Sequence, residues 1–331
     1  AGKFVVIEGD KNDFFSMVMD MRLDATNPEI LLYPPHEGDQ LLHSVLNGSS
    51  TYVTVNLRPM LMLEQGEEVV DDPRPVKTIP SHFSKVVEAE EEDVGRVFGS
   101  ESRDDRYFNM GTPLDMETPV CLNLNRFVER SNGIFGKTGT GKSFLTRLVL
   151  CGLIQKKKAV NLIFDMHNEY GFRAMQESGS GKGSFVKGLK QLFGNQVALF
   201  SLDPESTRQR GVQPDHEVYI SYDQIAVEDV IALQDELQLN PTASESAYLV
   251  YALYKNRWLR QLLSVDGPDI EQFAEEIGAN KSSLSAVHRK LKRIENFPFM
   301  VERLEGSDAV DTMMDYIDRG IHIVLEFGRQ T

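Results

Sequence analysis

One octapeptide constrains the fold more than any other part of the chain. Gly136–Ser143, with the sequence GKTGTGKS, fits the pattern GxxxxGK[ST]. It follows the short apolar stretch Gly133–Phe135, which we predict to be a strand, and precedes Phe144–Ile154, whose 3.6-residue periodicity predicts a helix. Glycines in such a loop let successive backbone N–H groups face one concavity, and the helix N-terminus adds partial positive charge. We therefore predict a phosphate-binding loop that holds ATP with Mg²⁺ in an α/β fold.

The residue types in this loop indicate separate tasks. Lys142 supplies a mobile cation for the β- and γ-phosphates, which also makes it a candidate catalytic residue, and the Ser143 hydroxyl can ligate Mg²⁺. The predicted nucleotide-binding residues are Gly136, Lys137, Thr138, Gly139, Thr140, Gly141, Lys142, Ser143 and Phe144.

A second polar cluster follows the next predicted strand, Ala159–Phe164, and reads DMHNEYG over Asp165–Gly171. In open α/β sheets the ligand lies outside the carboxyl ends of the strands, so this cluster is expected beside the phosphate loop. Asp165 or Glu169 could orient the attacking water or a Mg²⁺-bound water, and His167 could contact phosphate. The alternative is a polar strand-to-helix turn in which Asp165 acts as a cap. Spacing alone does not separate the two.

The rest of the chain divides by pattern. Residues 1–95 contain short alternating stretches broken by turn signals, which predicts a small β-barrel or sandwich. Residues 96–119 form a polar connector, and residues 120–331 alternate apolar strands with helices, which predicts a parallel α/β core. Residues from about 223 to 319 predict a helical insertion of three to five helices, broken at Pro268 and Gly278. The predicted strands are Phe4–Ile7, Ser16–Met21, Ile30–Tyr33, Tyr52–Leu57, Lys77–Ile79, Val120–Leu124, Gly133–Phe135, Ala159–Phe164, Val197–Phe200, Glu217–Ile220 and Ile321–Phe327.

The order of these features resembles the HerA/FtsK superfamily, and HerA-like proteins in particular. The resemblance rests on a β-rich N-terminal region, then FGKTGTGKS, then LIFDMHNEYG, with Asp165, His167, Glu169 and Tyr170 at the positions of an Asp-x-His-x-Glu-Tyr pattern. Arg74–Pro80 also resembles the family's passage out of its N-terminal domain. The resemblance implies a HAS-barrel followed by a RecA-like P-loop core. It further implies a homohexameric ATPase and helicase that translocates on double-stranded DNA, works with a nuclease or other effector protein, and serves DNA repair or antiviral defence.

One part of the family pattern is missing. The resemblance implies a Walker B strand that ends in acidic residues followed by Ala-His, and the nearest candidate is His322–Glu326, HIVLE. This segment lacks a second acidic residue and corresponds better to the strand before Walker B. We therefore expect the Walker B carboxylates and the arginine finger to lie beyond Thr331, in a longer protein. Arg126 and Arg130 lie near the phosphate loop in sequence, but nothing assigns either of them the finger role.

Two other functions are compatible with the sequence. A nucleotide-gated ring scaffold for an effector enzyme would show little DNA-stimulated hydrolysis, and a motor for another substrate would show none. The net charge of −15 argues against a protein that coats DNA over its whole surface, although it allows an acidic ring with a basic channel. No apolar run reaches the ~18–20 residues that span a bilayer, and the N-terminus does not resemble a secretion signal, so we expect a cytoplasmic protein without membrane contact.

Two further segments resemble known motifs. Gly179–Ser184, GSGKGS, resembles a second phosphate loop, but no strand precedes it and we interpret it as a flexible surface loop. Phe273–Val287 has helix-turn-helix spacing and is followed by the basic sequence HRKLKR. We expect an ordinary packing unit of the insertion there, because the segment has too little flanking sequence to build its own core.

Overall fold

The structure, a computed structural model, describes residues 2–26, 51–65, 73–113, 117–175 and 185–328. The chain divides into two compact units, Ala1–Gly133 and Ile134–Thr331. Among the described residues, no helix is both long enough and apolar enough to cross a membrane.

The first unit is built on a five-stranded antiparallel sheet with the order β4-β3-β2-β1-β5. Its apolar face packs against helix α1 around Phe4, Phe15 and Val94, and the rings of Phe4 and Phe15 are 4.9 Å apart. A separate antiparallel pair, β6 with β7, and the short helix α2 follow. The elements are β1 (Phe4–Ile7), β2 (Asn12–Ala25), β3 (Thr51–Glu64), β4 (Arg74–Pro75), β5 (Val86–Glu88), α1 (Glu91–Phe98), β6 (Tyr107–Gly111), β7 (Val120–Asn123) and α2 (Leu124–Val128).

The sequence predicted only part of this unit. Phe4–Ile7 is confirmed as a strand, and two other predicted strands lie inside the longer β2 and β3. Lys77–Ile79 is not a strand, and Ile30–Tyr33 lies outside the described residues. The predicted connector contains β6, and its partner β7 does not join the parallel sheet as Val120–Leu124 was expected to do. The pairings of the described strands leave β4 and β5 at the two edges, so closure into a barrel stays a prediction.

The second unit is built on a four-stranded parallel sheet with the order β12-β11-β15-β8. Its two central strands, VALFS and HIVLE, are buried along their whole length, as expected for parallel strands covered on both faces. The register places Asp165 beside Glu326, and Glu326 beside Ser201, so three polar side chains meet at one edge. The strands are β8 (Leu162–Asp165), β9 (Arg173–Met175), β10 (Phe185–Lys187), β11 (Val197–Ser201), β12 (His216–Glu217), β13 (Ile220–Ser221), β14 (Met300–Val301) and β15 (His322–Glu326).

The strand predicted before the phosphate loop is wrong. Gly133–Phe135 has no regular secondary structure, and the Phe135 side chain is 94% exposed. A strand depends on a neighbour for its hydrogen bonds, and the parallel sheet of the described residues ends at β8 without pairing to this stretch. Glu217–Ile220 is also divided between β12 and β13.

The stretch predicted to be a helical insertion of three to five helices contains six helices, together with the short strand β14. Turns of 3-10 helix at Lys255–Arg257 and Gly267–Asp269 divide the helical stretch, and Gly278 ends α9 with a φ of +71°. The helices of this unit are α3 (Lys142–Gln155), α4 (Leu189–Phe193), α5 (Pro204–Gln209), α6 (Val227–Ala232), α7 (Pro241–Tyr254), α8 (Trp258–Ser264), α9 (Ile270–Ile277), α10 (Lys281–Leu291) and α11 (Ala309–Asp318). Further 3-10 turns are Gly194–Gln196, Tyr222–Gln224 and Lys292–Asn296.

The insertion has one hydrophobic core, and the helix-turn-helix segment packs into it as expected rather than forming a core alone. Buried side chains from α6 to α10 form one contiguous cluster, with Trp258 fully buried near its centre. The indole Nε1 of Trp258 donates a hydrogen bond to the Ile225 carbonyl at 2.8 Å, which satisfies the polar atom of this buried ring. The insertion is therefore a packed subdomain.

We expect Leu284→Ala to destabilise the insertion by about 3 kcal/mol, because it leaves a cavity at a side chain with no exposed surface. Leu253→Ala on α7 is the matched control, since Leu253 is 61% exposed and its truncation should cost less than about 0.5 kcal/mol. Trp258 is the single tryptophan of the chain, so its fluorescence during urea unfolding reports this core. Equal shifts for the two variants would contradict the assignment of the core.

Candidate nucleotide site

The loop Gly136–Ser143 folds as a tight turn that leads directly into α3. Gly139 and Gly141 have φ values of +80° and +88°, a region that side chains with a Cβ rarely adopt. The Thr140 hydroxyl and the Lys142 ammonium donate to the Lys137 carbonyl, at 2.7 and 2.9 Å. The lysine head group therefore lies over the loop that precedes its own helix.

The loop fits a bound phosphate chain. Helix α3 has 14 residues, and Gly141 before it offers no side chain to cap the N–H groups of the first turn. These N–H groups and the dipole of the helix can therefore bind an anion, with Lys142 as the nearby cation and Ser143 in the first turn. The described residues contain no group of three or more His, Cys, Asp or Glu side chains arranged to hold a metal. A Mg²⁺ ion here would depend on Ser143, phosphate and water, as in other P-loop sites.

A buried arginine joins the P-loop helix to the acidic turn after β8. Arg147 lies on α3, is 6% exposed, and donates from Nη2 to the Glu169 carbonyl at 2.7 Å. A charged hydrogen bond of this kind is costly to break inside a protein. The structure therefore brings together the two motifs that the sequence predicted to be neighbours.

Asp165 shapes this turn with both of its carboxylate oxygens. It accepts hydrogen bonds from the backbone N–H groups of Glu169 at 2.8 Å, Tyr170 at 2.8 Å and Gly171 at 3.2 Å. Burial raises the pKa of Asp165, the three N–H groups oppose that rise, and nearby Glu326 adds to it. This is the geometry of the capping alternative, in which Asp165 holds the turn that carries His167 and Glu169.

The side chains of His167 and Glu169 differ from that of Asp165, whose carboxylate is occupied by hydrogen bonds. Within the described part of the chain, neither makes a hydrogen bond or an ion pair, and Glu169 is only partly exposed. Between them Asn168 has a φ of +57°, and its side chain exchanges two hydrogen bonds of 3.3 Å with the Gly328 backbone. The turn after β8 is thus fixed to the end of β15, while its two titratable side chains stay available.

A second buried carboxylate, Glu326, lies beside Asp165 at the end of β15. Glu326 has no exposed surface, and it accepts from the Thr207 hydroxyl at 2.9 Å and from the Arg210 guanidinium. The Thr207 hydroxyl in turn contacts the Ser201 hydroxyl at 2.8 Å. Gly171 packs so closely against the Glu326 carboxylate that an added Cβ would clash with it. Glu326 is therefore a paired structural charge inside the sheet edge.

Sequence reasoning missed Arg147, Thr207 and Arg210. Arg147 could have been found, because it is a lone charge within the apolar run FLTRLVLCGLI. Thr207 and Arg210 could not, because they lie in an unremarkable polar segment and meet Glu326 only through the pairing of β11 with β15.

We expect Arg210→Met to destabilise this unit by about 3 kcal/mol, because it leaves the Glu326 carboxylate buried without its cation. Adding Glu326→Gln should restore part of the loss, since a neutral amide costs less to bury than an unpaired charge. The measurement is the free energy of unfolding of the single and double variants. A double variant less stable than Arg210→Met would contradict this account of the network.

Comparison with known proteins places these features in one family. The model of a family described as helicase HerA, central domain, matches residues 108–330 of the 331-residue chain. A comparison with curated proteins gave no match. The family match spans the P-loop, the acidic turn and β15, which contribute to the site, and it also covers the helical insertion. The chain belongs to the HerA central-domain family, whose members are P-loop ATPases with an α/β core.

Proposed function

We propose that this protein hydrolyses ATP and uses the energy to move along double-stranded DNA as a homohexameric ring. The proposal rests on the hydrogen bond from Arg147 on the P-loop helix to the Glu169 carbonyl in the acidic turn, in a chain of the HerA family. It places the free carboxylate of Glu169 on the turn fixed to the P-loop helix. Bound Mg²⁺–ATP supplies a γ-phosphoryl group whose transfer to water releases the energy for movement.

The protein's own residues then act by positioning and by electrostatics. Lys142 stabilises negative charge on the β- and γ-phosphates, and Ser143 holds Mg²⁺. Glu169 orients the attacking water, and His167 contacts phosphate. Asp165 acts as a positioning residue, because its carboxylate holds the turn that carries Glu169 and His167.

The polymer substrate and the partners follow from the family. The net charge of −15 fits a ring with an acidic outer surface whose contacts to DNA are confined to a few basic segments. A nuclease or another effector protein would be the working partner, in DNA end processing and repair or in antiviral defence. A ring that only organises an effector would need nucleotide binding but not DNA-stimulated turnover, and the first experiment separates the two.

We expect linear duplex DNA to raise steady-state ATP hydrolysis several-fold, and Lys142→Ala to abolish both basal and stimulated turnover. The lysine supplies a positive charge for the β- and γ-phosphates from the first turn of the helix. Lys156→Ala, at the other end of the same helix, is the matched control and should leave turnover unchanged. Turnover at background level with DNA present would exclude the translocase and favour the scaffold.

We expect Glu169→Gln to lower turnover by about 100-fold or more while nucleotide binding stays within a few-fold of wild type, because the amide cannot accept a proton from water. Binding is measured with a fluorescent ATP analogue, and turnover by phosphate release. Glu205→Gln, an exposed carboxylate on α5, serves as the control. If Glu169→Gln hydrolyses ATP at the wild-type rate, another carboxylate performs this role.

A further inference from the structure

We propose that α9, the turn after it and α10 form a duplex-DNA-binding surface within the helical insertion, with α10 as the helix that enters the major groove. The proposal rests on the proposed function in one respect, namely that duplex DNA is the polymer the protein engages. It adds a place for that contact, remote in sequence from the phosphate loop.

The turn between the two helices has the geometry that a helix-turn-helix requires. Helix α9 ends at Ile277, and Gly278 takes the left-handed conformation while the Ala279 N–H donates to the Ala274 carbonyl at 2.8 Å. The Asn280 side chain then accepts from the Ser283 N–H at 3.0 Å and starts α10. Three residues therefore reverse the chain between two capped helices.

The packing between the helices follows the same pattern. Ala274 and Leu284 are fully buried, and Phe273 and Val287 are buried beside them. A small residue at Ala274 lets the two helices approach closely, and the apolar side chains fill the angle between them. The Ser283 hydroxyl contacts the Thr242 hydroxyl of α7 at 2.9 Å, which fixes α10 to the rest of the insertion.

The insertion core makes this pair of helices a rigid platform. Because α6 to α10 share one hydrophobic cluster around Trp258, the helix-turn-helix does not depend on the parallel sheet for its core. A surface that reads or grips DNA must keep its side chains in register with the groove, and a packed three-helix support provides this.

The charge of α10 contrasts with that of the chain. The segment from Lys281 to Arg293 contains five basic residues and no acidic one, in a protein of net charge −15. Two of the five are paired, Lys281 with Glu275 at 3.0 Å and Lys292 with Glu295 at 2.9 Å. The other three, Arg289, Lys290 and Arg293, have no ion pair within the described residues. Two acidic residues of α9 face this surface: Glu275, which pairs with Lys281, and Glu271, which lines the same cleft as Arg289.

These features favour double-stranded DNA over other nucleic acids. Lys281 and Ser282 are exposed at the N-terminus of α10, where a recognition helix contacts base edges, and the unpaired cations suit phosphates. Lys281–Arg293 contains no Phe, Tyr or Trp on which the bases of a single strand could stack, and its one imidazole, His288, is buried. The major groove of double-stranded RNA is too narrow to admit a helix.

The test is the affinity of the full chain for a fluorescent 30-base-pair duplex, measured by anisotropy between about 50 and 200 mM salt without nucleotide. We expect the variant Arg289→Ala/Lys290→Ala/Arg293→Ala to bind at least tenfold more weakly than wild type. The slope of log affinity against log salt should also fall by about 2–3, since each lost phosphate contact removes roughly 0.9. The control variant Lys77→Ala/Arg103→Ala/Arg303→Ala removes the same charge from exposed positions elsewhere and should bind within twofold of wild type.

Two further measurements keep the outcomes distinct. Trp258 fluorescence verifies that the insertion of the α10 variant is folded, and Arg289→Lys/Arg293→Lys should retain most of the affinity because the charges remain. Wild-type affinity in the α10 variant, or an equal loss in the control variant, would overturn the proposal. If the α10 variant keeps both its DNA affinity and its DNA-stimulated hydrolysis, the surface proposed here is wrong and the proposed translocase function stands. If DNA affinity depends on α10 but DNA does not stimulate hydrolysis in the wild type, the surface stands and the translocase function is wrong.

Discussion

Two buried carboxylates side by side set the geometry of the sheet edge. The parallel register of β8 and β15 places Asp165 next to Glu326, both almost without exposed surface, and such a pair repels unless each charge finds its own donors. Asp165 takes three backbone N–H groups, while Glu326 takes Thr207 and the Arg210 guanidinium. The N–H groups bound by Asp165 hold the turn after β8, and the contacts of Thr207 and Arg210 with Glu326 hold the segment after β11.

The turn that carries the proposed catalytic side chains depends on that arrangement. Because the Asp165 carboxylate is occupied by the turn, the chain presents Glu169 and His167 on a backbone fixed at three points: by Asp165, by Asn168 with Gly328, and by Arg147 of the P-loop helix. If Glu169 acts as proposed, this preorganisation would remove the entropic cost of orienting its carboxylate. The phosphate loop needs no such support, since its geometry is local and follows from its glycines.

The sequence was most informative where structure is local. The octapeptide and periodicity predicted the loop and α3, and the apolar runs predicted β11 and β15 within a few residues. It failed for Gly133–Phe135, because a strand needs a partner that local pattern does not reveal. Arg210 with Glu326 was likewise invisible, since the contact joins residues 116 apart. Ile30–Tyr33 and Gly179–Ser184 lie outside the described residues, so they remain predictions.

The surface proposed on the insertion would let a strongly acidic chain bind a polyanion. Repulsion between the protein and DNA grows with the charge within about one Debye length of the contact, about 8–10 Å at physiological salt, and not with the total charge. Arg289 and Lys290 on α10 and Arg293 in the 3-10 turn after it, which have no ion pair among the described residues, lie on a subdomain whose core is separate from the cluster under the sheet. Acidic residues elsewhere would then weaken non-specific contacts and leave this one surface favourable. On the proposed function, the negative total charge would therefore limit where DNA contacts the protein rather than exclude DNA as its substrate.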